Sequence, residues 1–216
     1  MKPSVLELFS TPIVTFKIEE DTQELNKINN YTQSVISNYD NNNVSGSVTG
    51  KRILEQYPKI RDIFLDKFSN IAENYLKYKK RKYIITTSWI TYTKKGGQSS
   101  NHNHRNSFWS GVYYFQDDYP KGWAHLKLNS PISGLGDVFF AKNDCQEICA
   151  NNSEVVNIQP ESKMLILFPS YLKHEVSIHQ IDKKRLSLAF NIMPVGRWGE
   201  SDSSIDLSWL WLGICA

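Results

Sequence analysis

The chain is poor in sulfur: three cysteines, Cys145, Cys149 and Cys215, and three methionines in 216 residues. An odd cysteine count excludes a fully paired disulfide framework. The one close spacing, C-x-x-x-C at 145–149, has no second Cys or His pair beside it and makes a poor zinc site. Reduced, unpaired thiols are expected, as in a reducing cytoplasm. Long apolar runs are missing too. Nothing approaches the ~20 apolar residues of a membrane span, and Met1-Lys2-Pro3-Ser4 does not open a signal peptide. The expected setting is therefore soluble and cytoplasmic, or the host cytoplasm for a viral chain. Excess charge of one sign is scarce: 25 basic and 22 acidic residues leave a formal +3, which gives no support for a polyanionic partner. A phosphate-binding glycine loop and an internal repeat are also absent.

What the sequence has is enough apolar mass for one sizeable core. With 40% hydrophobic and 22% charged residues, a chain of this length buries roughly 70% of its unfolded surface. Stability needs no structural metal, so a bound metal would point to chemistry. Pro12–Ile18 alternates like a strand. Asp21 and Glu24 form a capping box ahead of Leu25, Ile28, Val35 and Ile36 at helical spacing. Asn38 to Gly50 is a loop by composition. Pro58 fits the first turn of a second helix, with an apolar stripe of Ile60, Phe64, Phe68, Ile71 and Tyr75.

From Tyr83 onward short β-like runs follow one another: Tyr83–Tyr92, Phe108–Phe115, Ala124–Leu128, Val138–Ala141, Val155–Ile158, Met164–Phe168 and Leu186–Ile192. Turn residues separate them and no helix alternates with them, which predicts a mainly β fold, a sandwich or jelly roll, with N-terminal helices over one face. The expected organisation is one domain over 1–216. Residues 1–80 form a strand and supporting helices, 81–195 the jelly-roll core, and 196–216 a C-terminal segment whose Trp209 and Trp211 close the core.

Chemistry concentrates at the histidines, of which there are five. In Asn101-His102-Asn103-His104 an extended backbone points both imidazoles to one side, where they could meet one ion. The apolar strand Ser110-Gly111-Val112-Tyr113-Tyr114-Phe115 follows and would set the pair at the rim of a sheet. Phe168-Pro169-Ser170-Tyr171-Leu172-Lys173-His174 is a strand ending in a turn that delivers a lone histidine. Arg185 and Ser187, two apart on one strand, form a fork for a carboxylate. Non-haem iron needs a facial set of protein ligands with other positions open, and a carboxylate co-substrate needs a fixed cation nearby.

These blocks, His-x-His, SGVYY, FPSxxxH and RxSxAFN, together with the opening Leu8-Phe9-Ser10-Thr11-Pro12-Ile13, resemble a family of iron(II)- and 2-oxoglutarate-dependent oxygenases known largely from bacteria and phages. The resemblance covers most of the chain. It implies a double-stranded β-helix, a cupin-like jelly roll with Fe(II) at its mouth, and a hydroxylase that couples decarboxylation of 2-oxoglutarate to oxidation of a substrate by O2. It places His102 and His174 as metal ligands and Arg185, with Ser187, as the holder of the far carboxylate of 2-oxoglutarate. Tyr92 and Tyr114 are candidates for further contacts to 2-oxoglutarate, or core aromatics. Many such oxygenases carry Asp or Glu two residues after the first histidine. Here that position is His104, either a third imidazole ligand or a substrate-holding group, and Arg105 stands where family members often have Pro.

Two other readings stand beside this one: a three-histidine dioxygenase that uses no 2-oxoglutarate, and a non-enzymatic jelly-roll binding or virion-associated module. The substrate, a small molecule or a peptide, is left open, and a homo-oligomer is compatible with the sequence. His125 reads as a strand histidine and His179 as a surface one. The basic run Lys77–Lys82 reads as a solvated helix end.

Overall fold

The computed structural model describes residues 10–20, 22–37, 45–47, 52–132, 146–147, 149 and 152–212. Strand β1 (Val14–Lys17) leads into α1 (Thr22–Ser37), a short strand β2 (Ser45–Ser47) and α2 (Pro58–Asn74). The strands β3 (Tyr83–Thr93), β4 (Ser99–His102), β5 (Trp109–Tyr114), β6 (Leu126–Asn129), β7 (Val155–Ile158), β8 (Met164–Pro169), β9 (His174–Val176) and β10 (Arg185–Pro194) follow. A small ribbon, β11 (Arg197–Trp198) and β12 (Ile205–Asp206), and a last turn of helix, α3 (Trp209–Leu212), complete the order. A six-stranded sheet, β1-β8-β5-β10-β3-β2, and a four-stranded sheet, β4-β9-β6-β7, are antiparallel throughout and form a jelly roll.

The larger sheet is buried on both faces, and its alternation divides the work. On β10, Leu186, Leu188, Phe190 and Ile192 join the core under α2, while Arg185, Ser187 and Ala189 line a cavity on the opposite face. On β8, Leu165 and Leu167 enter the core under α2, and Ile166 and Phe168 enter a second core with Tyr114, Trp123, Leu126 and Leu128. A strand covered on both sides reads as a continuous apolar run, as Met164–Phe168 does.

Helix α2 presents Ile60, Phe64, Phe68 and Ala72 to the sheet. The Phe64 ring stacks on Phe190 at 5.0 Å, and Phe68 lies 5.4 Å from Trp109. Gly111 makes this packing possible. A Cβ there would sit 2.1 Å from the Phe190 ring, so the absence of a side chain lets the aromatic lie across the strand.

Several expectations need correction. Ser45–Ser47, inside the expected loop, pairs with the end of β3 as an edge strand. Tyr75 follows the last residue of α2 and is 66% exposed, and Ala72 takes the buried place the stripe gave it. Trp209 does not close the core: it is 63% exposed. The strand expected at Val138–Ala141, Asp21, Cys145, Cys215 and the side chain of Trp211 lie outside the described residues. Cys149 is exposed and free. Among the described residues, no helix is long and apolar enough to cross a membrane.

Candidate metal and co-substrate site

The two strands that carry histidines are short and polar. His102 closes β4 and His174 opens β9, and the two are register partners in the smaller sheet. This brings their rings to 4.3 Å between centroids. His104 follows beyond the strand, where its backbone N–H donates to the carbonyl of Ser170 at 2.9 Å and its own carbonyl accepts from Ser107 at 3.1 Å. That turn brings the third ring to 5.2 Å from His102 and 5.1 Å from His174. One ring nitrogen of each histidine lies within 4.8 Å of those of the other two.

The hydrogen bonds determine which nitrogen is free. Nδ1 of His102 meets the Ser100 carbonyl at 2.7 Å, Nδ1 of His174 the Leu172 carbonyl at 3.0 Å, and Nδ1 of His104 the Asn191 Oδ1 at 2.6 Å. Those oxygens only accept, so each Nδ1 carries a hydrogen, which leaves Nε2 as the atom each ring can offer to a metal. Burial pushes the His174 imidazole down to about 4 and lowers that of His104 as well; His102 adds to both, and His104 adds to His174. Neutral imidazoles with converging lone pairs repel one another unless a cation lies between them. The donor set fits a first-row transition metal such as iron.

Arg185 lies in the same cavity and is 1% exposed. Its Nε donates to the Ala124 carbonyl at 3.1 Å, one terminal nitrogen to the Tyr114 hydroxyl at 3.1 Å, and the other to Ser187 Oγ at 3.5 Å. All three partners are neutral, and among the described residues no carboxylate forms an ion pair with it. A buried cation without a counter-charge is costly, and an anionic ligand would relieve it. The cavity, about 370 Å³, is lined by Trp89, Thr91, His102, His104, His174 and Arg185 among others.

The structure thus brings together His102, His104, His174, Arg185, Ser187 and Tyr114. It does not bring Tyr92, which is buried on the opposite face of β3, in the core under α2. His179 is fully buried, against the surface position expected. Its Nδ1 accepts from the Ala124 N–H at 3.4 Å and its Nε2 meets the Lys183 carbonyl at 2.7 Å, so it braces the segment that supports Arg185. Trp89, 5.8 Å from His104, and Asn191 were not foreseen in the site. The period-two alternation of β3 and β10 would have placed them there once the cavity face was known.

Two facing sheets with a three-imidazole cluster and a buried arginine in the cavity between them define a jelly-roll protein built around a candidate metal centre. Residues 87–191 match the family model described as "Putative 2OG-Fe(II) oxygenase", and so span His102, His104, His174 and Arg185. Among solved structures, the chain is similar to an oxidoreductase of the 2OG-Fe(II) oxygenase family from Burkholderia pseudomallei, at 14% identity over 83% of each chain with a TM-score of 0.54. It is similar also to HygX from Streptomyces hygroscopicus, solved with nickel and 2-oxoglutarate bound, at 10% identity over 89% of this chain and 87% of that one, TM-score 0.55. A prolyl-4-hydroxylase from Pseudomonas putida shares 12% identity over 87% of this chain and 90% of that one, TM-score 0.54. No curated protein sequence matches the chain. Over residues 87–191 the chain is thus similar to the 2OG-Fe(II) oxygenase family, and its fold is the one those solved structures share.

Proposed function

We propose that the chain acts, as one domain over 1–216, as an iron(II)- and 2-oxoglutarate-dependent hydroxylase. In this reading His102, His104 and His174 hold the metal, Arg185 and Ser187 hold the far carboxylate of 2-oxoglutarate, and Tyr114 supports Arg185. The observation that carries it is the pairing, in one cavity, of three converging imidazoles with a buried arginine whose hydrogen-bond partners are all neutral.

Bound iron(II) and 2-oxoglutarate would supply the oxidising chemistry: O2 is consumed, 2-oxoglutarate leaves as succinate and CO2, and one oxygen enters a substrate C–H bond. The chain's own residues bind, orient and exclude water. Arg185 is fixed from three directions before any ligand arrives, so little ordering remains on binding. Phe168, whose ring lies 4.9 Å from that of His174, and Trp89 give the histidine cluster apolar walls that keep water from the reacting centre. His102, the exposed member of the trio, marks the side from which a substrate enters. The protein ligands carry no charge, so neutralisation of the metal falls to the anionic co-substrate.

Succinate release dependent on iron(II), O2 and 2-oxoglutarate tests the reading. His174→Ala should abolish it. Arg185→Gln should raise the 2-oxoglutarate requirement strongly while sparing metal binding, and full turnover by His174→Ala would overturn the ligand assignment. The all-histidine set also favours a second reading, a three-histidine dioxygenase without 2-oxoglutarate. Insensitivity of O2 uptake to a 2-oxoglutarate analogue would support it.

A further inference from the structure

Behind the cluster lies a row of polar side chains, buried except for the half-buried Thr87 at one end, that metal and co-substrate binding leave unexplained. Thr87, Asn191 and Ser110 are successive cross-strand partners on β3, β10 and β5, and Ser110 meets Ser170, just past the end of β8. Ser110, Ser170 and Asn191 are 1%, 0% and 7% exposed. Asn191 is the hub. Its Oδ1 accepts from His104 Nδ1 at 2.6 Å and from Ser110 Oγ at 2.9 Å, and its Nδ2 donates to Thr87 Oγ1 at 2.9 Å. Since Ser110 spends its one proton on Asn191, Ser170 donates to Ser110 across 2.8 Å.

We propose that Asn191 is a positioning residue for His104: its amide oxygen holds the hydrogen on Nδ1, and so keeps Nε2 free and aimed at the shared metal position. The inference rests on the metal-centre reading above and deepens it. Three observations converge on it. The Nδ1 partners of His102 and His174 are backbone carbonyls two residues upstream in each case, Ser100 and Leu172, which no side-chain change removes. Only His104, at the position where many related oxygenases have a carboxylate, depends on a side chain. The ladder between β10 and β3 also slips at this point: Asn191 pairs with Thr87 but Ile192 with Ile85, leaving Thr86 as the extra residue of a bulge. Bulges re-aim side chains next to functional sites. Lastly, the polarity of the row is coupled to ligand competence. Turning the amide over would present Nδ2 to His104, place the imidazole hydrogen on Nε2, and remove a ligand.

The test is titration with cobalt(II), read by visible absorption, of the wild-type protein and of Asn191→Leu, Asn191→Asp, Thr87→Val and His104→Ala. Thermal unfolding of each metal-free variant reports folding. Loss of the acceptor in Asn191→Leu should weaken cobalt binding about 10- to 100-fold and move the spectrum towards that of His104→Ala. Asn191→Asp keeps an acceptor in the same place and should bind within a few-fold of wild type. Thr87→Val, which frees the amide to turn, should weaken binding in the same direction as Asn191→Leu and serves if that variant does not fold. Wild-type affinity and spectrum in folded Asn191→Leu or in Thr87→Val would overturn the proposal. Failure of the wild-type protein itself to bind cobalt would instead bring down the metal-centre reading on which it rests.

Discussion

At the scale of single residues, the cavity gathers imidazole, guanidinium and hydroxyl groups from separate segments of the chain. His102, His104, His174, Arg185 and Ser187 stand out in sequence because imidazole pairs and an Arg-x-Ser fork are unusual in an otherwise apolar β region, and the structure gathers all five around one cavity. The two tyrosines show the limit. Both faces of β3 and β5 are buried, so hydropathy cannot tell which parity of residues meets the cavity; Tyr114 does and Tyr92 does not. Tyr92→Phe should therefore leave the 2-oxoglutarate requirement unchanged. Tyr114→Phe leaves a buried guanidinium donor unsatisfied and should cost about 1.5–3 kcal/mol of stability, measurable by urea unfolding. Burial of His174 yields a pH prediction. Its native value, about 4, lies below the ordinary 6.5 because burial disfavours the charged ring. As pH falls, the unfolded chain takes up the proton before the native one does. Stability from this group is fully present above about pH 6.5 and is lost progressively towards pH 4, by about 3 kcal/mol in metal-free protein. Urea midpoints at several pH values would show this drop in the wild type and its absence in His174→Gln; parallel pH curves for the two would contradict it.

At the scale of elements, the apolar strands declare themselves and the functional ones do not. Val155–Ile158 has the bounds expected, and Met164–Pro169 differs from expectation by a residue, because β-branched or apolar runs between turn residues carry the pattern. The strands that carry the clustered histidines His102 and His174, Ser99–His102 and His174–Val176, hold only four and three residues. Their sequences, SSNH and HEV, have no apolar alternation, and they exist because they pair with each other and with β6. That pairing is nonlocal, and no local pattern encodes it. The α2 stripe failed at its last position for a related reason: the helix ends at Asn74, one residue short of Tyr75. One glycine matters here for contact rather than conformation. Gly111→Ala drives a methyl group into the Phe190 ring and should destabilise the protein by about 1–3 kcal/mol. The double variant with Phe190→Leu should recover part of that loss, and simple additivity of the two destabilisations in chemical denaturation would speak against the close approach.

At the scale of the whole molecule, the scarcity of cysteine and the size of the core expected a fold that stands without cross-links or a structural metal, and the two apolar clusters, one under α2 and one between the sheets, supply the means. Stripped of metal by a chelator, the protein should retain its far-ultraviolet circular dichroism and unfold cooperatively. Restoring iron(II) anaerobically, or nickel, should raise the melting temperature by linkage, with about 2.7 kcal/mol of added stability at a free metal concentration a hundredfold above the dissociation constant. Class of fold was readable from strand count and turn spacing, whereas sheet order was not, since β8, β5 and β10 are neighbours in space yet scattered along the chain. The central claim is that one cavity couples a three-histidine metal site to a carboxylate-binding arginine. Isothermal titration of 2-oxoglutarate into the anaerobic iron(II)-loaded protein tests it most directly: the account predicts one site per chain, weakened strongly both by removing the metal and by Arg185→Gln. Binding that is indifferent to the metal, or unchanged in Arg185→Gln, would contradict it.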